Sequence, residues 1–331
     1  MHYKRKKVIG VEIMIFIQYQ PDILGANYQY TELKFPNDYE GKVIATLIRK
    51  KSTQITSKAV LYIHGFIDYY FQTEMAEQFN QHGFDFYALD LRKYGRSHLP
   101  HQRFYNVHEL SEYDAEISQS LKIIAEEGHN SVLLCGHSTG GLICTRYIAH
   151  HLNHALIKAL WLNSPFFDFN LSNVEKKLAL PMLSKLGEKF PNITIPNRIN
   201  KWYVPSIHKI FYGEWNFNLE WKPIAIPKVP LGFIHAIYQA QQEIHKGVYI
   251  NIPTLIMHSD KTTNPKHWHV RAQSSDIVLN IKDIKHTGHQ LKGPITLCEI
   301  HNGVHDLVLS SQQTRKIVYN KLFKWLDAHF R

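Results

Sequence analysis

The stretch Val132-Leu133-Leu134-Cys135-Gly136-His137-Ser138-Thr139-Gly140-Gly141-Leu142 decides how the rest of the chain is read. Four apolar residues make a short buried strand, the glycines interrupt it, and Leu142 to His150 reads as a helix. A strand that becomes a helix within a few residues must bend sharply. Side chains at 136 and 140 would meet neighbouring backbone in such a bend, which is why glycine stands at both. Ser138 is thereby expected at the tip of the turn, with the N-terminus of the next helix beneath it.

On the N-terminal side, Val60 to Ile63 is an apolar run closing on His64-Gly65, and Phe84 to Leu89 is another ending at Asp90. Between Glu109 and Glu127, the residues Leu110, Tyr113, Ile117, Leu121 and Ile124 recur at three and four, one helix face that Gly128 ends. Ala159 to Leu162, Thr254 to Met257 and Ile295 to Ile300 are further strands. A last helix from about Gln312 carries Val318, Leu322, Trp325 and Phe330. Strands alternating with amphipathic helices predict an α/β chain: a mostly parallel sheet with helices on both faces. Each polar motif falls at a strand end, along the sheet edge where such folds bind ligands.

Residues 166–250 break the alternation. Seven prolines cut the segment, and 14 of its 85 residues are Phe, Tyr or Trp, 16% against 12% for the chain. That excess predicts a helical cap folded over the strand ends that adds an apolar pocket wall. The expected organisation is an N-terminal extension over 1–29, a core over 30–165 and 251–331, and the cap over 166–250.

At 331 residues, with 44% hydrophobic and 20% charged residues, the chain can bury a sizeable core. No apolar run approaches the length of a membrane-spanning helix. The charge balance is 38 − 28 = +10 with histidine neutral. Apart from Lys4-Arg5-Lys6-Lys7 the basic residues are dispersed and no nucleic-acid motif accompanies them. The charge therefore predicts a weak leaning toward anionic membrane surfaces and no nucleic-acid partner. Cys135, Cys144 and Cys298 form no C-x-x-C pair, and their sparse use suits a reducing compartment. The basic start resembles a signal peptide, but Glu12 cuts the apolar run from Val8 to Ile17 and no small-residue cleavage site follows closely. A cytoplasmic location is expected, and Met14 is an alternative initiator.

A serine hydroxyl at a strand–helix turn attacks a carbonyl only with a base in hydrogen-bond reach and donors for the oxyanion. His64-Gly65-Phe66 follows an earlier strand, so the N–H groups of Phe66 and Thr139 are the expected oxyanion donors. His64 itself is read as a structural hydrogen-bonding residue. In chains with this turn the base follows late, after an acid. His305, in Gly303-Val304-His305-Asp306-Leu307 between the last strand and the closing helix, fits that place. His301 abuts the strand and His289 sits inside a helical stretch.

The set His64-Gly65, Asp90-Leu91-Arg92 through Gly95-Arg96-Ser97, Gly136 to Gly140 and Gly303 to Asp306 resembles the α/β-hydrolase fold. More narrowly, it is similar to the monoacylglycerol lipase, lysophospholipase and serine-aminopeptidase-like group. The resemblance covers about residues 30–330. It implies an eight-stranded sheet, a helical cap, no metal, no diffusible cofactor, and a serine hydrolase acting on a small-molecule ester or lipid. Lys93 stands where the group usually has Gly, which reads as a surface matter. The group's acid would fall at Thr262, so two candidates stand in its place: Asp260, two residues early on the strand end, and Asp276, whose following Ile277-Val278-Leu279 and helix reproduce the expected order and favour it. With an apolar cap, the resemblance implies a carboxylic ester of monoacylglycerol or lysophospholipid type cleaved through an acyl-enzyme. An aminopeptidase, with Glu214 or Glu220 holding the free amine, and a ligand-binding homologue without turnover are the alternatives.

Overall fold

The structure is a computed structural model that describes residues 17–330. The basic run Lys4–Lys7, Met14 and nearly all of the apolar run Val8–Ile17 lie outside the described residues.

Among the described residues, nine strands form one sheet: β1 (Gln20–Pro21), β2 (Tyr28–Asp38), β3 (Gly41–Lys50), β4 (Lys58–Ile63), β5 (Asp85–Asp90), β6 (Ser131–His137), β7 (Ile157–Asn163), β10 (Thr254–Ser259) and β11 (Ile295–Ile300). The two short strands β8 (Thr194–Ile195) and β9 (Val229–Pro230) make a separate ribbon. The spatial order is β1-β2-β3-β5-β4-β6-β7-β10-β11, antiparallel from β1 through β5 and parallel from β5 to β11. The expected eight strands are thus joined by a ninth, the two-residue β1 at the edge. β2 and β3 fall outside the strands expected above, and no flanking helix announces a crossover, although exposed Glu32 and Lys34 alternate with Thr31, Leu33 and Phe35 along β2 and β3 carries the buried run Val43–Ile48.

Alternation within the strands feeds two cores. In β6, Leu133 and Cys135 face one side and Val132 and Leu134 the other; in β4, Val60 and Tyr62 oppose Leu61 and Ile63. Helices α1 (Thr73–Gln81) and α8 (Gln312–His329) cover the first side through Phe79, Val318, Leu322 and Phe323. Helices α2 (Asp114–Glu126), α3 (Thr139–His150) and α7 (Ile281–Gln290) cover the second through Ile117, Leu121, Leu142, Ile148 and Ile284. The expected helix over 109–127 is split into a tight turn, Leu110–Tyr113, and α2 proper.

Between β7 and β10 lie α4 (Leu180–Lys189), α5 (Tyr203–Ile207) and α6 (Leu231–His245). A widened π turn, Glu175–Ala179, precedes α4, where Pro181 offers no N–H to a regular helix. Along α6, Leu231, Phe233, Ile237, Ala240 and Ile244 are buried in the same cluster as Leu142 and Ile148.

Lys93 corrects the surface reading. It is fully buried at φ 65°, its ammonium pairs with Asp38 at 2.7 Å and Glu40 at 2.8 Å, and it donates to the Asn106 carbonyl at 2.7 Å. Among the described residues, the paired oxygens of Asp38 and Glu40 have no other partner. Removing one member of such a group leaves buried charge uncompensated. Lys93→Met is expected to destabilise the fold by about 3 kcal/mol, measured by urea unfolding; an unshifted midpoint would show that the group contributes nothing.

Candidate active site

The turn after β6 is as tight as its glycines require. A Cβ on Gly136 would stand 2.5 Å from the Gly140 carbonyl oxygen, and one on Gly140 would stand 2.3 Å from that of Ile63 and 2.4 Å from that of His64. Ser138 itself is at φ 52°, a conformation that non-glycine residues adopt rarely and at a cost. The bend is held from β7: the Asn163 carbonyl accepts the Ser138 N–H at 3.0 Å and lies 3.1 Å from His137 Nδ1. Helix α3 starts at Thr139, whose N–H, in the first turn, has no intrahelical acceptor.

His305 arrives on the loop between β11 and α8. Its Nε2 lies 3.0 Å from Ser138 Oγ and its Nδ1 lies 2.9 Å from Asp276 Oδ2. All three side chains are buried. The other Asp276 oxygen accepts the N–H groups of Val278 and Leu279, both at 2.8 Å, so backbone just C-terminal to the carboxylate aims it. With Nδ1–H held by a carboxylate, Nε2 is left as an acceptor facing a hydroxyl, and the three groups can pass a proton from Ser138 to His305.

The two acid candidates are separated by this geometry. After β10, the chain leaves at Thr262, makes an excursion, and returns at Asp276. Thr262 and Asp276 form a bridge, with Asp276 N–H donating to Lys261 O and Thr263 N–H to Asp276 O, each at 3.0 Å. Asp276 thus lies beside the position expected for the acid. Asp260 instead pairs with His301 Nδ1 at 2.8 Å and accepts the Asn302 N–H at 2.9 Å. His289 sits in α7, as expected.

His64 does serve structure: Nε2 accepts the Leu91 N–H at 3.1 Å and Nδ1 lies 2.8 Å from Gly65 O. Gly65 is pressed against the elbow, since a Cβ there would be 3.0 Å from Ser138 Cβ. The Phe66 backbone is therefore next to the serine, and its ring stacks on Phe233 of α6 at 5.2 Å and packs on Tyr105 at 4.4 Å. Glu214 is exposed and bound to Arg315 at 2.9 Å, and Glu220 is exposed.

Behind Ser138, His305 and Asp276 lies a polar layer that sequence reasoning missed. Asp306 accepts from Asn163 Nδ2 at 2.7 Å and Gln72 Nε2 at 3.1 Å. The ligand atoms of Asp68, His137 and Asp306 lie within 4.8 Å of one another, and the Lys222 ammonium pairs with Asp68 at 2.9 Å. Asp306 had a signal in its place beside His305; Lys222, a lone lysine among aromatics, had none.

Against known proteins, a family described as serine aminopeptidase, S33 matches residues 54–293. A non-heme haloperoxidase of Rhodococcus erythropolis is 27% identical over 195 residues, 54% of this chain; the match spans 65% of that relative's length. Among solved structures, a soluble variant of the Saccharomyces cerevisiae monoglyceride lipase superposes with a TM-score of 0.63 at 16% identity, covering 99% of this chain and 98% of that one. A Bacillus coagulans carboxyl esterase gives 0.64 at 15%, covering 91% and 99%, and a Paleococcus ferrophilus monoacylglycerol lipase 0.62 at 16%, covering 91% and 99%. These structures share the fold.

Burial lowers the pKa of both His64 and His137 below the usual 6.5. The unfolded chain, with ordinary histidines, then takes up protons before the folded one does. The resulting stability is fully present above about pH 6.5 and is lost as the pH falls below it. The buried Glu116 carboxyl, pushed up to about 7, opposes this by taking up its proton in the folded state over the same range, so the test is a difference between proteins. Denaturation midpoints of a His137→Asn protein are expected to fall less between pH 7 and pH 5 than those of the unaltered chain; an identical pH dependence would contradict a neutral buried His137.

Proposed function

The chain belongs to the serine aminopeptidase (S33) family of α/β-hydrolases, and on that premise we propose that it is a serine hydrolase cleaving carboxylic esters with an apolar acyl chain, of monoacylglycerol or lysophospholipid type. The observation that carries the reading is the continuous hydrogen-bonded chain from Ser138 Oγ through His305 to Asp276. In this mechanism His305 Nε2 takes the Ser138 proton as the oxygen attacks the ester carbonyl. The backbone N–H groups of Phe66 and Thr139 stabilise the oxyanion, and His305 returns the proton to the leaving alcohol. Water, deprotonated by His305, then hydrolyses the acyl-enzyme. Asp276 holds the imidazole in one tautomer and stabilises its charged form.

Two observations support an apolar acyl chain over a peptide with a free amino end. Aromatic side chains from the segment between β7 and β10 pack beside the site: Phe233 against Phe66 and Tyr203 against His305. The carboxylates that an aminopeptidase reading would use are exposed, and Glu214 already holds Arg315. This segment also supports the proposed membrane leaning. Val174, Leu178, Met182, Leu186 and Phe190 recur every four residues and are 40–71% exposed, with the exposed Lys177, Lys185 and Lys189 alongside. An apolar stripe edged by lysine suits the interface of an anionic bilayer.

The Ser138→Ala protein is expected to lose on the order of a thousandfold in kcat on p-nitrophenyl esters, and its labelling by a fluorophosphonate probe. Asp276→Asn is expected to cost on the order of 10⁴ in kcat while Asp260→Asn stays within about threefold; equal activity of the Ser138→Ala protein, or the reverse order of the two asparagine variants, overturns the assignment. In flotation assays the protein is expected to associate with phosphatidylglycerol vesicles more than with phosphatidylcholine vesicles. Leu178→Asp with Met182→Asp should abolish that difference, and no vesicle binding by the unaltered chain would remove the stripe from the reading.

A further inference from the structure

Lys222 is a charged side chain that the proposed reaction does not use, and it is 1% exposed. Burying an ammonium is costly unless it is paired. Its pairing partner, Asp68, is just as buried, and the two are 2.9 Å apart. Three rings complete the enclosure: Tyr203, Phe71 and Phe217 at 5.1, 5.8 and 5.9 Å from Nζ. The cage joins two parts of the chain, since Asp68 and Phe71 follow β4 whereas Tyr203, Phe217 and Lys222 come from the segment between β7 and β10. Neighbouring contacts fasten the same seam: the Asn218 N–H donates to Tyr69 Oη at 2.7 Å, and Trp221 packs edge-on against Tyr69 at 5.0 Å.

What the seam holds is the loop beside the serine. Asp68 lies two residues beyond Phe66, and the residue between them, Ile67, is at φ 52°. A β-branched residue in that region is strained and stays there only when its surroundings fix it. Asp68 also stands beside a second buried carboxylate, Asp306, where an uncompensated pair of negative charges would repel. The Lys222 ammonium meets both needs: it anchors the loop on the far side of Ile67 and offsets the charge that the anchor brings.

We infer that Lys222 is a positioning residue of the oxyanion loop, its ammonium fixing Asp68 so that strained Ile67 aims the Phe66 N–H at the carbonyl under attack. The inference rests on the acyl-transfer reading above. Loss of the anchor then weakens transition-state binding and leaves ground-state binding nearly intact, so it reads out in kcat.

The test uses the full chain with p-nitrophenyl butyrate as substrate and butylboronic acid as a tetrahedral mimic. Lys222→Met is expected to lower kcat on the order of tenfold to a hundredfold, with KM within about twofold and boronate affinity falling by the same factor as kcat/KM. Lys222→Arg should recover most of the loss, because a guanidinium keeps both the charge and the stacking. Lys222→Met with Asp68→Asn removes both charges, so melting temperature should recover while kcat stays low. Folded Lys222→Met protein with unchanged kcat, or a double variant whose kcat recovers along with its stability, overturns the positioning role. Should Lys222→Met fail to fold, the Arg and double variants decide by the same criteria. An unaltered chain that neither turns over ester nor reacts with a fluorophosphonate would overturn the functional reading and, with it, this inference; an active unaltered chain with an active Lys222→Met overturns the inference alone.

Discussion

The close approach of the first turn of α3 to the end of β4 is the constraint on which the site depends. Gly140 has no room for a methyl group against the carbonyls of Ile63 and His64, and Gly136 has none against Gly140. Because the helix can come so near, its unsatisfied N-terminal N–H groups, the tip serine and the loop after β4 meet at one point. A side chain at either glycine would push the helix away and separate the tip serine from the groups around it. The strain at Ser138 is a consequence of the same bend, held by the Asn163 carbonyl and by the close packing on both sides.

From that point the structure is assembled by loops of very different sequence distance. His305 is 167 residues from Ser138, and Asp276 is 29 residues from His305, yet parallel pairing of β7, β10 and β11 brings their loops to a single edge. The excursion from Thr262 to Asp276 matters less than its closure. A bridge between those two residues returns the chain beside β10, and the N–H groups of Val278 and Leu279 fix the carboxylate oxygen that does not face the histidine. Asp276 is thus positioned by backbone on its C-terminal side, whatever the length of the excursion before it.

The buried charges of this chain share a pattern. Lys93 with Asp38 and Glu40, Arg92 with Glu116, and Lys222 with Asp68 each tie a connecting loop to a distant segment. Burial pushes the Glu116 carboxyl up to about 7 despite the guanidinium beside it, which shows how strongly desolvation competes with pairing in this interior. Such pairs add little net stability compared with apolar packing, but they admit few alternative partners and so define where a loop sits.

The alternation of apolar runs with helical periodicity, the Gly136–Gly140 bend and the placement of His305 after the last long strand were legible in the residues, because each is a local rule of backbone geometry or period. The place of β2 and β3 in the sheet was not, since the alternation in β2 and the buried run Val43–Ile48 in β3 mark strands without telling that their hairpin pairs with β5. Nor was the buried state of Lys93, which depends on Asp38 and Glu40 from a different hairpin. Which carboxylate faces His305 was open in the sequence, where Asp260 and Asp276 both come after β10; the fold gives Asp260 to His301 and Asp276 to His305. Residue order and residue type were enough to set the periods, the turns and the succession of reactive groups. Which distant charges pair was left to the folded chain, because pairing depends on where separate loops meet in space, and no local pattern encodes that.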